Sequence, residues 1–161
     1  MRLAPEGRFI VLRLLILTAL AVWQYDSLGL SLVIPWVFVG LLVFCINFFR
    51  DPIRTVPAGE NFIIAPADGK IVKITDVNDT DVGEAQLVSI FLNVFNVHCN
   101  RMPIDGTFTS VKYEKGKFLA AFDHKASDEN ERTEITISSK IGPVKVKQIA
   151  GLIARRILCY A

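Results

Sequence analysis

A chain of 161 residues has room for one modest domain, and its charge nearly cancels, with 18 Lys and Arg against 16 Asp and Glu. Residues 1–50 hold four basic side chains (Arg2, Arg8, Arg13, Arg50) against Glu6 and Asp26, while residues 51–161 hold fourteen of each sign. That neutral downstream part excludes nucleic acid as a partner, since phosphate binding needs a basic field; three widely spaced cysteines (Cys45, Cys99, Cys159) form neither a disulfide framework nor a zinc pattern and fit a reducing, cytoplasmic setting.

Two apolar segments come first. Residues 9–23 contain Arg13 near their start, where its side chain could snorkel to an interface. Residues 28–49 run for 22 positions without a charge, interrupted by Ser31, Pro35 and Asn47. At helical rise that is about 33 Å, enough for a hydrocarbon core. Gln24-Tyr25-Asp26-Ser27 reads as a polar turn between them, and Trp23, Tyr25 and Trp36 suit headgroup depth. The arginine inside the first run and the longer run after it speak against a cleaved signal peptide. The pattern predicts a transmembrane helical hairpin over residues 1–50, with one span plus an interfacial first helix as the alternative. Arginines flanking both ends place those ends in the cytoplasm, on the cell membrane.

After Arg50-Asp51-Pro52 the pattern changes. Val, Ile, Thr and Phe cluster at 61–65, 70–75, 86–95, 107–114, 133–138 and 143–150, separated by Gly, Asp and Pro turns. Residues 51–161 are therefore predicted as a mostly antiparallel β domain of barrel or sandwich type. A helical turn or ordered loop fits 117–132, "KFLAAFDHKASDENER", where His124 has no evident partner.

Two places could carry chemistry. Asp68 lies in "APADGK", where Asp-Gly between apolar runs is first of all a common turn. His98 ends an apolar strand in a polar knot, Asn96-Val97-His98-Cys99-Asn100-Arg101, stopped by Pro103. A lone histidine at a strand end is more often structural than functional.

Together, "MRLAPEGRFI", "FFRDPIRTVP", "APADGK", "SIFLNVFNVHCNRMP", "GKFLAAFDHKASDENER" and "QIAGLIARRIL" resemble the phosphatidylserine decarboxylases, in particular the short membrane-bound, archaetidylserine-decarboxylase-like type. The resemblance implies removal of CO2 from the serine headgroup of a phospholipid, with acyl or ether tails, at the inner membrane surface. It also implies a self-made cofactor. A serine in a Gly-Ser step attacks the preceding carbonyl, the chain splits into two, and a pyruvoyl group caps the new α chain. Its ketone engages the substrate amine and acts as electron sink for the carbanion. A base must then activate the serine, a carboxylate must orient the base, and an acid must protonate the carbanion. The resemblance assigns the carboxylate to Asp68 and the imidazole to His98.

Larger members carry His-x-x-His-x-Pro; here His98 matches the first histidine and Arg101 stands at the second. No Gly-Ser step occurs among the 161 residues. The expectation is a chain truncated before its cleavage serine, unable to form the pyruvoyl group by itself. Two other readings stay open: a membrane-anchored scaffold that has lost the serine, and a lipoyl- or biotinyl-like carrier with "DHKAS" presenting Lys125. A homodimer is compatible with every reading.

Overall fold

The computed structural model describes residues 2–25, 29, 31–59, 62–120 and 126–160. The chain divides into two compact units, Met1–Ala58 with Phe95–Arg101, and Gly59–Val94 with Met102–Ala161.

The first unit is a helix pair closed by a short strand pair. Helix α1 spans Pro5–Gln24, opening on a proline whose missing N–H falls where no intrahelical bond is due. Helix α2 spans Val33–Phe48. Strand β1 (Arg2–Leu3) pairs antiparallel with β2 (Arg50–Asp51), and the Ala4 N–H donates to the Phe49 carbonyl at 2.9 Å. The start of α1 is thus tied to the exit of α2. Gly7 makes that closure possible, because a Cβ there would overlap the Phe49 side chain.

The expected transmembrane hairpin is not formed. Among the described residues no helix is long and apolar enough to cross a membrane. The 16 residues of α2 reach only about 24 Å, because the helix starts at Val33 rather than at the beginning of the apolar run. The longer α1 carries Glu6, Arg8 and Arg13.

In the second unit, β3 (Lys70–Asp79) and β4 (Gly83–Phe91) form one antiparallel hairpin. Strands β5 (Gly106–Glu114), β6 (Arg132–Ser139) and β7 (Gly142–Ile149) form a second antiparallel sheet in that order. Gly83 and Gly142 begin β4 and β7 with φ of 76° and 117°, the left-handed region that glycine enters without steric cost. The expected barrel or sandwich is replaced by separate two- and three-stranded sheets. The physical reason lies in β3 and β4, where Ile71, Val72, Ile74 and Val88 remain exposed instead of facing a closing layer.

The core lies on β6. Thr133, Glu134, Ile135, Thr136 and Ile137 are buried in succession, so both faces of the strand are covered, and Ile137 is 1% exposed. One face is apolar, where Ile135 and Ile137 register with Val146 and Val144. The other is charged. Glu134 and Thr136 register with Lys147 and Lys145, and the turn between β3 and β4 lies over them through Asp79 and Asp81. The Lys145 ammonium reaches Asp79 at 3.1 Å, Asp81 at 2.7 Å and Glu134 at 3.0 Å.

The predicted strand at 61–65 is absent over residues 62–65, and Asn61 lies outside the described residues. Within 117–132 a four-residue helix, α3 (Ala126–Glu129), supplies a helical turn. His124 and Lys125 lie outside the described residues. Asn130, 1% exposed, fixes this stretch: its side chain accepts from the Leu119 N–H and donates to the Leu119 and Ala150 carbonyls, all within 2.9 Å.

Candidate functional site

Asp68 belongs to the second unit and His98 to the first. Asp68 is exposed in the bend at 66–69 that leads into β3. The bend is not the hairpin turn that Asp-Gly first calls for, because Lys70 immediately enters β3 and registers with Phe91 at the end of β4. Gly69 is required by that entry. A Cβ there would come to 2.6 Å from the Phe91 carbonyl oxygen. The sequence thus forces a glycine beside β4, preceded by the exposed Asp68.

His98 sits in the segment Phe95–Arg101, half-buried, beside the buried Val97. Its ring stacks on Phe48, the last residue of α2, with centroids 4.4 Å apart and 28° between planes. Nδ1 lies 3.0 Å from the Asn96 carbonyl oxygen. A carbonyl can only accept, so Nδ1 carries the proton and Nε2 keeps its lone pair. Burial pushes the imidazole pKa below the ordinary histidine value; the Asn96 bond opposes this and the Arg50 guanidinium adds to it. Near neutral pH the ring is therefore a neutral base with Nε2 as its basic atom. The neighbouring Cys99 thiol is pushed up, by burial first and by Asp51 next, which keeps it protonated.

Arg101 does not stand beside His98 as a second proton carrier. Its guanidinium is ion-paired with the Asp51 carboxylate and donates to the Pro52 carbonyl at 2.9 Å. A guanidinium stays charged throughout the pH range of a protein. Sequence reasoning missed Phe48 and Asn96 as partners of His98. Phe48 is counted there in an apolar run, and a backbone carbonyl leaves no mark on residue type.

The pyruvoyl group that the resemblance implies would be made from a serine in a Gly-Ser step, and none occurs in these 161 residues. Among the described residues no cluster of three or more His, Cys, Asp or Glu is placed to hold a metal ion.

Comparison with known proteins accounts for most of the chain. A model of the family described as phosphatidylserine decarboxylase matches residues 41–161. A phosphatidylserine decarboxylase proenzyme from Chlorobaculum tepidum is 42% identical over 166 residues, covering 99% of this chain and 75% of its own length. The proenzyme from Burkholderia multivorans is 52% identical, covering 78% of this chain and 59% of its own length. That from Paraburkholderia phymatum is 50% identical, with 79% and 61% covered. The chain thus spans from about three fifths to three quarters of the length of these relatives. By this extent and identity, the chain belongs to the phosphatidylserine decarboxylase family.

Proposed function

We propose that this chain is the upstream part of a self-processing decarboxylase that removes CO2 from the serine headgroup of a phospholipid, leaving the ethanolamine lipid. The observation that carries the reading is the neutral His98 imidazole, its Nδ1 bonded to the Asn96 carbonyl so that Nε2 is the basic nitrogen, inside a chain of this family. A base in that state can take a proton from a serine hydroxyl, or hold and return one to a carbanion, without first having to be deprotonated. The Asn96 carbonyl holds the tautomer, and the Phe48 ring holds the plane of the imidazole.

Asp68 is proposed as the carboxylate of the self-cleavage step, stabilising the imidazolium that forms when the base takes its proton. The pyruvoyl group, when present, supplies the electron sink for decarboxylation. Its α chain would be the first protein partner, and a second copy of the chain another.

The lipid substrate would be met at the cytoplasmic face of the cell membrane. Phe9, Trp23 and Trp36 are 72%, 76% and 67% exposed on α1 and α2, an apolar surface suited to lying in the headgroup region without spanning it. A chain that has merely kept the scaffold is the rival reading.

The test uses a polypeptide that continues past residue 161 through a Gly-Ser step. Asp68→Asn and His98→Ala should each leave a single uncleaved chain on a denaturing gel, where the parent gives two. Normal cleavage in either variant removes that residue from the mechanism, and an uncleaved, inactive parent supports the scaffold.

A further inference from the structure

The segment that carries His98 is held at both of its ends by the same short stretch of chain. At its entrance, Arg50 donates from Nη2 to the Phe95 carbonyl at 2.7 Å, while its Nη1 donates to the Asn47 carbonyl at 2.7 Å and to the Asn47 side-chain oxygen. At its exit, Arg101 pairs with Asp51 and donates to the Pro52 carbonyl. In between, Phe48 stacks on His98, and Phe44 meets Phe95 edge-on with centroids 6.4 Å apart. Every one of these holders comes from residues 44–52, the end of α2 and the strand β2 that follows it.

The two arginines are reciprocal. Arg50 reaches from the holder to the segment, and Arg101 reaches from the segment to the holder. Each also engages a second acceptor on the holder, so each planar fork is fixed in direction and not merely in distance. A segment tethered at one end could swing about that tether; one tethered at both can only flex in its middle, where Val97 is buried.

From this juxtaposition we propose that Arg50, Arg101 and Asp51 are positioning residues: a two-arginine bracket that fixes the Phe95–Arg101 segment so that His98 presents Nε2 as its working nitrogen. Arg101 then has a definite task three residues after the imidazole. It locks the base in place and takes no part in proton transfer. The functional consequence rests on His98 acting as proposed above, whereas the bracket itself can be read without any catalysis.

The experiment follows the His98 ring by nitrogen and carbon NMR shifts in the 161-residue chain held in detergent micelles, with His124→Gln leaving one imidazole. The unmodified bracket should show the Nδ1–H form and a titration below the ordinary value of about 6.5. Arg101→Ala should shift the ring toward the Nε2–H form that free histidine prefers and raise its titration midpoint toward the ordinary value. Exchanging the pair, with Arg101→Asp and Asp51→Arg together, should restore the first behaviour. Asp51→Asn keeps the side-chain volume, removes only the charge, and carries the same expectation if Arg101→Ala loses its dispersed spectrum. A His98 signal that Arg101→Ala and Asp51→Asn leave unchanged, or an Nε2–H ring in the unmodified bracket, overturns the proposal.

In the self-cleaving longer polypeptide, Arg101→Ala should slow cleavage about a hundredfold, the scale of a misplaced catalytic group, and the exchanged pair should recover most of it. If the bracket behaves as expected by NMR but His98→Ala still cleaves, the assignment of His98 fails while the bracket stands.

Discussion

The helix pair and the three-stranded sheet distribute their side chains in opposite ways. On α1 and α2 the large apolar residues Phe9, Leu12, Trp23, Val33, Trp36 and Val43 are exposed, while the buried positions are Gly7, Val11, Thr18 and Pro35. On β6 the buried positions include Thr133, Glu134 and Thr136, and the residue sealed beside the sheet is Asn130. Apolar composition therefore does not locate cohesion in this protein. The helices are joined by small residues and a two-residue strand pair. The sheet adds to its apolar face of Ile135 and Ile137 the buried Asn130 and Glu134 and the Lys145 ammonium, each hydrogen-bonded or ion-paired.

If that contrast is right, the largest loss of stability comes from an amide. Asn130→Ala removes three hydrogen bonds and strands the Leu119 and Ala150 backbone groups it served. It should cost about 3 kcal/mol in equilibrium urea denaturation. A loss below a third of that would return the sheet's cohesion to Ile135 and Ile137.

The next effect is electrostatic. Lys145, its side chain 8% exposed, bridges Asp79, Asp81 and Glu134. The Asp81 backbone N–H and then Lys145 hold the Asp79 carboxyl below its ordinary 3.8. Burial alone would raise Glu134, but bonds from Lys145 and Arg132 outweigh it and hold the group below 4.5. Burial would likewise lower Lys145, yet its three carboxylates drive it well above 10.5. Depressed carboxylates stabilise the fold above their ordinary values and lose that contribution as pH falls through the depressed ones. A raised lysine contributes below 10.5 and loses it only as pH rises past that value. Stability should accordingly be level from neutral pH toward pH 10 and fall below about pH 4. Lys145→Met should lower Tm by about 5 °C at neutral pH and flatten the acid limb, measured by thermal scans across pH. A mutant with an unchanged acid limb would show that the cluster is incidental.

The smallest effect sharpens the helix side of the contrast. Phe9→Ser should change stability by no more than about 0.5 kcal/mol despite deleting a large apolar group. A loss of 2 kcal/mol or more, about the value of burying such a side chain, would mean that the face is covered in solution.

Much of the β framework can be read from residue type. The clusters at 107–114, 133–138 and 143–150 coincide with β5, β6 and β7 within a residue at each end, because β-branched runs separated by glycine-containing connections leave few alternatives. β3 extends to Asp79, past the expected end at 75, since Asp76, Asn78 and Asp79 look like loop residues locally but are paired by the register with β4. The membrane-spanning reading fails for a related reason. Apolar length is not helix length: the apolar run starts at 28, and α2 begins only at Val33. In the candidate site, residue types single out His98 and Asp68, but nothing local reveals that Arg50 reaches a carbonyl 45 residues away or that Arg101 spans 50 to Asp51. Such pairings exist only once the chain has folded.

The bond from Nδ1 of His98 to the Asn96 carbonyl has one more consequence. If His98 is the base proposed above, turning the imidazole over during a turnover would set a C–H against that oxygen and lose the bond, so one nitrogen would serve throughout. Protons would then arrive and depart through a single doorway. A donor and an acceptor used in succession would have to take turns at the same spot, which favours an ordered cycle over a relay passing straight through the ring.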